Sequence, residues 1–102
     1  MAYDEALAQR VRDELAGEAR VTERKMFGGV AFMVAGNMAL GVRDRELMVR
    51  LSDVEDALAQ PHVRQSMMGE RPMKGIVLVS QDADLEPWIA RGVAHARSLP
   101  PK

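Results

Sequence analysis

The sequence predicts a single α+β domain over residues 1–102, a two-layer fold in which an antiparallel sheet carries helices at both termini and a short central helix. Three observations predict it. Between Arg24 and Leu51, three apolar runs are separated by two turn signals, the pattern of a three-stranded meander. Near both ends, apolar residues recur at three- and four-residue spacing, as in helices with one buried stripe. A β-branched run at Ile76-Val77-Leu78-Val79 then brings the sheet to one or two strands beyond the meander.

Composition narrows the function classes. A chain of 102 residues accommodates one core, and 47% apolar with 28% charged residues is the balance of a globular domain rather than of a disordered or membrane-spanning one. The net charge of -1 argues against an autonomous nucleic-acid binder, which carries a strong basic excess. No cysteine is present, so disulfides, thiolate nucleophiles and thiolate metal sites are all excluded. Met1-Ala2-Tyr3-Asp4-Glu5 is acidic where a signal peptide is basic, and no run approaches the roughly 20 apolar residues of a membrane span. The expected location is the cytoplasm, with no membrane partner.

The first helix is read over Tyr3 to Leu15, with Tyr3, Leu7, Val11 and Leu15 as its apolar stripe, Asp4 and Glu5 at the positive end of its dipole, and Gly17 ending it in a left-handed conformation. Glu18 to Lys25 lacks apolar periodicity and reads as a connector or an irregular approach to the sheet. Met26 and Phe27 precede Gly28-Gly29, a pair suited to positive φ or to close approach of another backbone. It is not a phosphate loop, which needs further glycines, a following lysine and then a helix.

Val30, Phe32 and Val34 share one face of the next strand, with Ala31, Met33 and Ala35 on the other; Gly36-Asn37 supplies the hairpin turn. The chain returns over Met38 to Val42, turns again at Arg43-Asp44-Arg45 and continues over Glu46 to Leu51. There Leu47, Val49 and Leu51 oppose Glu46, Met48 and Arg50. Ser52-Asp53-Val54-Glu55 has the spacing of a capping box for a short helix ended by Gln60-Pro61. His62 to Arg71 reads as a helical turn around Val63, Met67 and Met68, stopped by Gly69, and Pro72 marks entry to a strand beginning near Met73. Asp84 is the expected N-cap of the last helix, Pro87 falls in its first turn, and Leu85, Trp88, Ile89, Val93 and Ala96 form its stripe to about Leu99. Gly92 inside that helix costs about 1 kcal/mol relative to alanine, which points to close packing there.

No spacing encodes a reaction. His62 and His95 have no carboxylate or second histidine at metal-ligand spacing and read as exposed, and Ser66 and Ser80 lack a nucleophile-elbow pattern. Asp82, Asp84 and Glu86 read as complements to a helix dipole rather than as cation ligands. The expectation is a non-enzymatic protein with no cofactor and no metal. The second sheet face is more informative. If the helices cover one face, Met33, Met48 and Arg50 lie on the other, a methionine-rich patch suited to a homodimer or to a partner protein.

Lys25-Met26-Phe27-Gly28-Gly29 with the following Val30 to Val34, then Leu47 to Leu51, then Pro72-Met73-Lys74-Gly75 stand in an order and spacing that resembles the N-terminal domain of the TfoX/Sxy family of bacterial competence regulators. The resemblance spans nearly the whole chain; the helical C-terminal domain of the full-length pattern has no counterpart in these 102 residues. It implies a compact α+β domain acting in transcriptional control of DNA uptake alongside a DNA-bound regulator, with no cofactor and no catalytic residues. The first reading is therefore a small regulatory module that binds another protein. A nucleic-acid-associated module built on dispersed arginines, and a small-ligand binder or enzyme using Lys25 and the glycine pair, are the alternatives.

Overall fold

The computed structural model describes residues 3–26 and 28–101, for Met26 and Met68 the backbone alone. Its elements are α1 (Glu5–Glu14), β1 (Val21–Met26), β2 (Gly29–Val34), β3 (Asn37–Arg43), β4 (Glu46–Arg50), α2 (Val54–Leu58), β5 (Val63–Met68), β6 (Arg71–Ser80) and α3 (Glu86–Ser98). The strands form one antiparallel sheet in the order β1-β2-β3-β4-β6-β5. The α+β architecture is thus as the sequence predicts, with helices at both ends and a short one in the middle.

Two strands differ from expectation. Glu18 to Lys25 is not a connector throughout, because Val21–Met26 is a strand paired with β2. Thr22 to Lys25 are all exposed, so no alternating apolar signal marks this edge. Likewise Val63–Met68 is a strand and not a helical turn. Val63 and Met67 lie four apart, a weak helical periodicity, but pairing with β6 fixes their backbone.

Helix ends shift by a residue or two. Asp4 caps α1, its Oδ1 accepting from the backbone N–H of Ala6 at 2.9 Å and of Leu7 at 3.2 Å, so Tyr3 lies outside the helix in a bridge to Asp44. Helix α1 stops at Glu14 without a left-handed Gly17. Asp53, not Ser52, occupies the N-cap of α2, and Leu85, not Asp84, that of α3; neither cap uses a side-chain hydrogen bond. Pro87 stands in the first turn of α3 as expected, where its missing N–H costs nothing.

The larger core lies between the helices and one sheet face. Leu7, Val11 and Leu15 of the α1 stripe meet Phe32, Leu40, Leu47 and Val49 of the sheet and Trp88, Ile89, Val93 and Ala96 of α3. Between Phe32 and Met33 the β2–β3 register shifts, leaving Ala39 as an extra residue, so Ala39 and Leu40 both enter this core while Met38 points to the opposite face. Helix α3 sits directly on that bulge. A Cβ at Gly92 would stand 2.6 Å from the Ala39 carbonyl oxygen, which explains a glycine in mid-helix.

The β2–β3 hairpin turns on Ala35-Gly36 rather than on Gly36-Asn37, with φ of 52° and 85°. Both positive values mark a type I′ turn, and an alanine there carries a left-handed penalty of about 1–2 kcal/mol. Ala35→Asn is therefore expected to stabilise the protein by about 0.5–1 kcal/mol. A urea midpoint that failed to rise would show that the turn tolerates alanine without strain. Asn37, one residue on and 1% exposed, instead ties down the C-terminal segment, its Nδ2 donating to the Pro100 carbonyl at 2.9 Å.

Candidate functional site

The opposite sheet face is not bare. Ala31, Met33, Met38, Met48, Ile76 and Leu78 form a second apolar cluster, Met48 fully buried and Met33 only 9% exposed. The expectation of an open methionine patch is thereby corrected, and the reason lies in β5 and β6. Residues 76–80 of β6 pair with β4, but residues 71–75 run on past it. At Gly75 (φ 78°) β6 bends, and opposite it β5 shifts register between Gln65 and Met67.

The outer half of this ribbon doubles back across the methionines. Arg43 of β3 donates from Nη1 to the carbonyl of Met67 in β5 at 2.8 Å. Three strand intervals separate β3 from β5 in the sheet, roughly 14 Å at about 4.8 Å each, farther than an arginine reaches. Only a folded-over ribbon brings the two together. Gln65 supplies the backbone bonds lost at the bend, its Nε2 lying 3.1 Å, 2.8 Å and 3.1 Å from the carbonyls of Ser66, Met73 and Ile76.

Both pieces of the sequence motif converge on Arg43. Gly28 (φ 76°) turns the chain between β1 and β2, and Gly29 packs against the backbone of Val42 and Arg43. Pro72 pairs with Met67, whose carbonyl Arg43 holds. Met73 packs onto the second cluster, and Lys74 is exposed. Lys25 is exposed at the end of β1, whereas Phe27 and the side chain of Met26 lie outside the described residues. The motif glycines thus serve close packing and turning, and Arg43, a residue that no sequence spacing singles out, joins the motif's two halves.

Of the other charged residues, several are spoken for. Arg12 grips Glu23 with Nε and Nη2 at 2.9–3.1 Å, fastening α1 to β1, and this pairing raises the Arg12 pKa. Arg64 pairs with Glu46, which raises its pKa too, and Arg97 pairs with Glu18. Arg91 stacks on Trp88 at 4.8 Å and approaches Asp56 at 3.5 Å. Among the described residues no group of three or more histidines or carboxylates is placed to hold a metal ion, Asp82, Asp84 and Glu86 included. No helix among them is long and apolar enough to cross a membrane.

His95 is half-buried rather than exposed, and burial first, then the positive charge of Arg50, lowers its pKa below the ordinary 6.5. Below pH 6.5 the unfolded chain therefore binds a proton that the folded chain resists. Stability on this account is complete above about pH 6.5 and declines as pH falls toward the lowered folded value. His95→Gln should flatten the denaturation midpoint between pH 7.5 and about 5.5 relative to the parent; parallel curves would remove His95 as the cause.

One edge of the sheet is open. Ala35 donates to the Arg20 carbonyl at 3.1 Å, so in the β1–β2 register Arg20, and with it Thr22, Arg24 and Met26, turn their backbone groups toward β2. Val21, Glu23 and Lys25 turn theirs outward, where no further strand among the described residues pairs with them. Comparison with curated proteins and with solved structures returns no match. The family model for the TfoX N-terminal domain matches residues 13–96, from the last turn of α1 to the last turn of α3. The chain belongs to the TfoX N-terminal domain family.

Proposed function

We propose that this chain is a non-enzymatic regulatory module of the cytoplasm that binds another protein, in the manner of the competence co-activators it resembles, with a transcription regulator as its partner. The observation that carries the reading is the open edge of β1. Val21, Glu23 and Lys25 offer outward backbone donors and acceptors in one row, and Thr22 to Lys25 are exposed on both faces. An extended partner segment can add to such an edge, drawing affinity from the backbone and selectivity from the charged side chains. The arginines give less support to a nucleic-acid surface, because Arg12, Arg64, Arg91 and Arg97 each face a carboxylate.

The test is capture of a protein from nuclease-treated host cytosol by the parent, Lys25→Ala and Lys25→Pro. The Lys25 N–H points away from β2, so proline there removes one edge donor without breaking the internal ladder. The parent and Lys25→Ala should retain the partner and Lys25→Pro should lose it. Equal capture by all three would rule the edge out. If the occupant is a second copy, light scattering will give a dimer for the parent and a monomer for Lys25→Pro.

A further inference from the structure

We propose that the groove between the end of α1 and the outer face of α3 docks a basic amphipathic helix of a partner protein. This surface is separate from the β1 edge, and its test does not depend on what that edge binds. The groove holds about 320 Å³. Its floor is apolar, made by Leu15, Ile89 and Val93. Ala90 and Ala94 are exposed one turn apart on α3, so along that row only methyl groups flank the floor, with Glu86 and Arg97 at its two ends.

Charge decides what fits. Glu14 on α1 and Glu86 in the first turn of α3 both line the groove and are exposed, and among the described residues neither forms an ion pair. Glu18 also lines it but is engaged by Arg97, whose Nε stands 3.0 Å from Oε1. The C-terminal end of α1 adds the negative pole of its dipole on the same side. An apolar floor flanked by carboxylates that no side-chain cation engages complements a helix whose leucine-type stripe is bordered by lysines or arginines. A phosphate backbone or an anionic membrane would meet like charge.

The probe is a peptide of about 18 residues made of leucine and lysine in amphipathic helical order, with a leucine/glutamate peptide of the same order as control. Each is titrated into the full ¹⁵N-labelled chain and followed by NMR. Saturable shifts should centre on Leu15, Ala90 and Ala94 with the lysine peptide alone. Glu14→Lys combined with Glu86→Lys should weaken binding at least about tenfold. Ala94→Gln, an exposed helix substitution that leaves charge unchanged, should weaken it as well by filling the approach. Absence of saturable shifts, shifts centred elsewhere, equal binding of the glutamate peptide, or undiminished binding by the charge-reversed chain would each overturn the proposal.

Discussion

Gly29→Ala is expected to lower stability by about 3 kcal/mol or more, a drop in melting temperature of roughly 12 °C or more for a domain of this size. An added Cβ would stand 1.9 Å from the Val42 carbonyl oxygen, 2.9 Å from its carbon and 3.1 Å from the Arg43 Cα. All three atoms are backbone, so no side chain can rotate away. Relief requires β2 and β3 to separate where Val30 pairs with Val42, and Val30 and Val42 both belong to the larger core. Gly17→Ala is the control, since a Cβ there meets nothing within 4 Å and its φ is not in the left-handed region. That substitution should be neutral or slightly stabilising, by at most about 1 kcal/mol. Similar melting temperatures for the two variants would show that Gly29 is retained for something other than packing.

The same glycine illustrates what was legible in the sequence. Gly28-Gly29 before an alternating strand points to close backbone approach, and the structure places that approach at Val42 and Arg43. Helix stripes and the meander were readable because their apolar periodicities are imposed by the larger core: Leu7, Val11 and Leu15 in α1, and Leu47 and Val49 in β4, all reach it. Strand β1 was not readable, because an edge with Thr22 to Lys25 exposed has no buried face to impose a period. Strand β5 resembles a helical turn in sequence because Val63 and Met67 lie four apart, while long-range pairing to β6 sets the backbone. The hairpin turn lies one residue earlier than its best local chemistry, Gly36-Asn37, because Ala35 is drawn into positive φ by the register on either side.

Met48→Ala separates the two readings of the methionine face. On an open surface, truncating Met48 would change stability by less than about 0.5 kcal/mol. Buried as it is, the loss should be about 2–5 kcal/mol, while Met48→Leu, which conserves volume, should cost less than about 1.5 kcal/mol. The geometry around Gly41 says why. Gly41 is the cross-strand partner of Met48, and a Cβ at Gly41 would stand 2.5 Å from the Met48 Cε and 3.4 Å from that of Met38. Met48 therefore occupies the space that a side chain at position 41 would fill, with the returning β5–β6 ribbon above it. Urea denaturation of both variants decides the matter: a negligible loss for Met48→Ala would mean that the ribbon does not cover the face in solution. A full loss has a consequence for function. With Met48 sealed beneath its own ribbon, a partner reaches the methionines only after breaking the Arg43 to Met67 hydrogen bond and lifting residues 66–74, whereas the β1 edge and the α1–α3 groove are open without any such step.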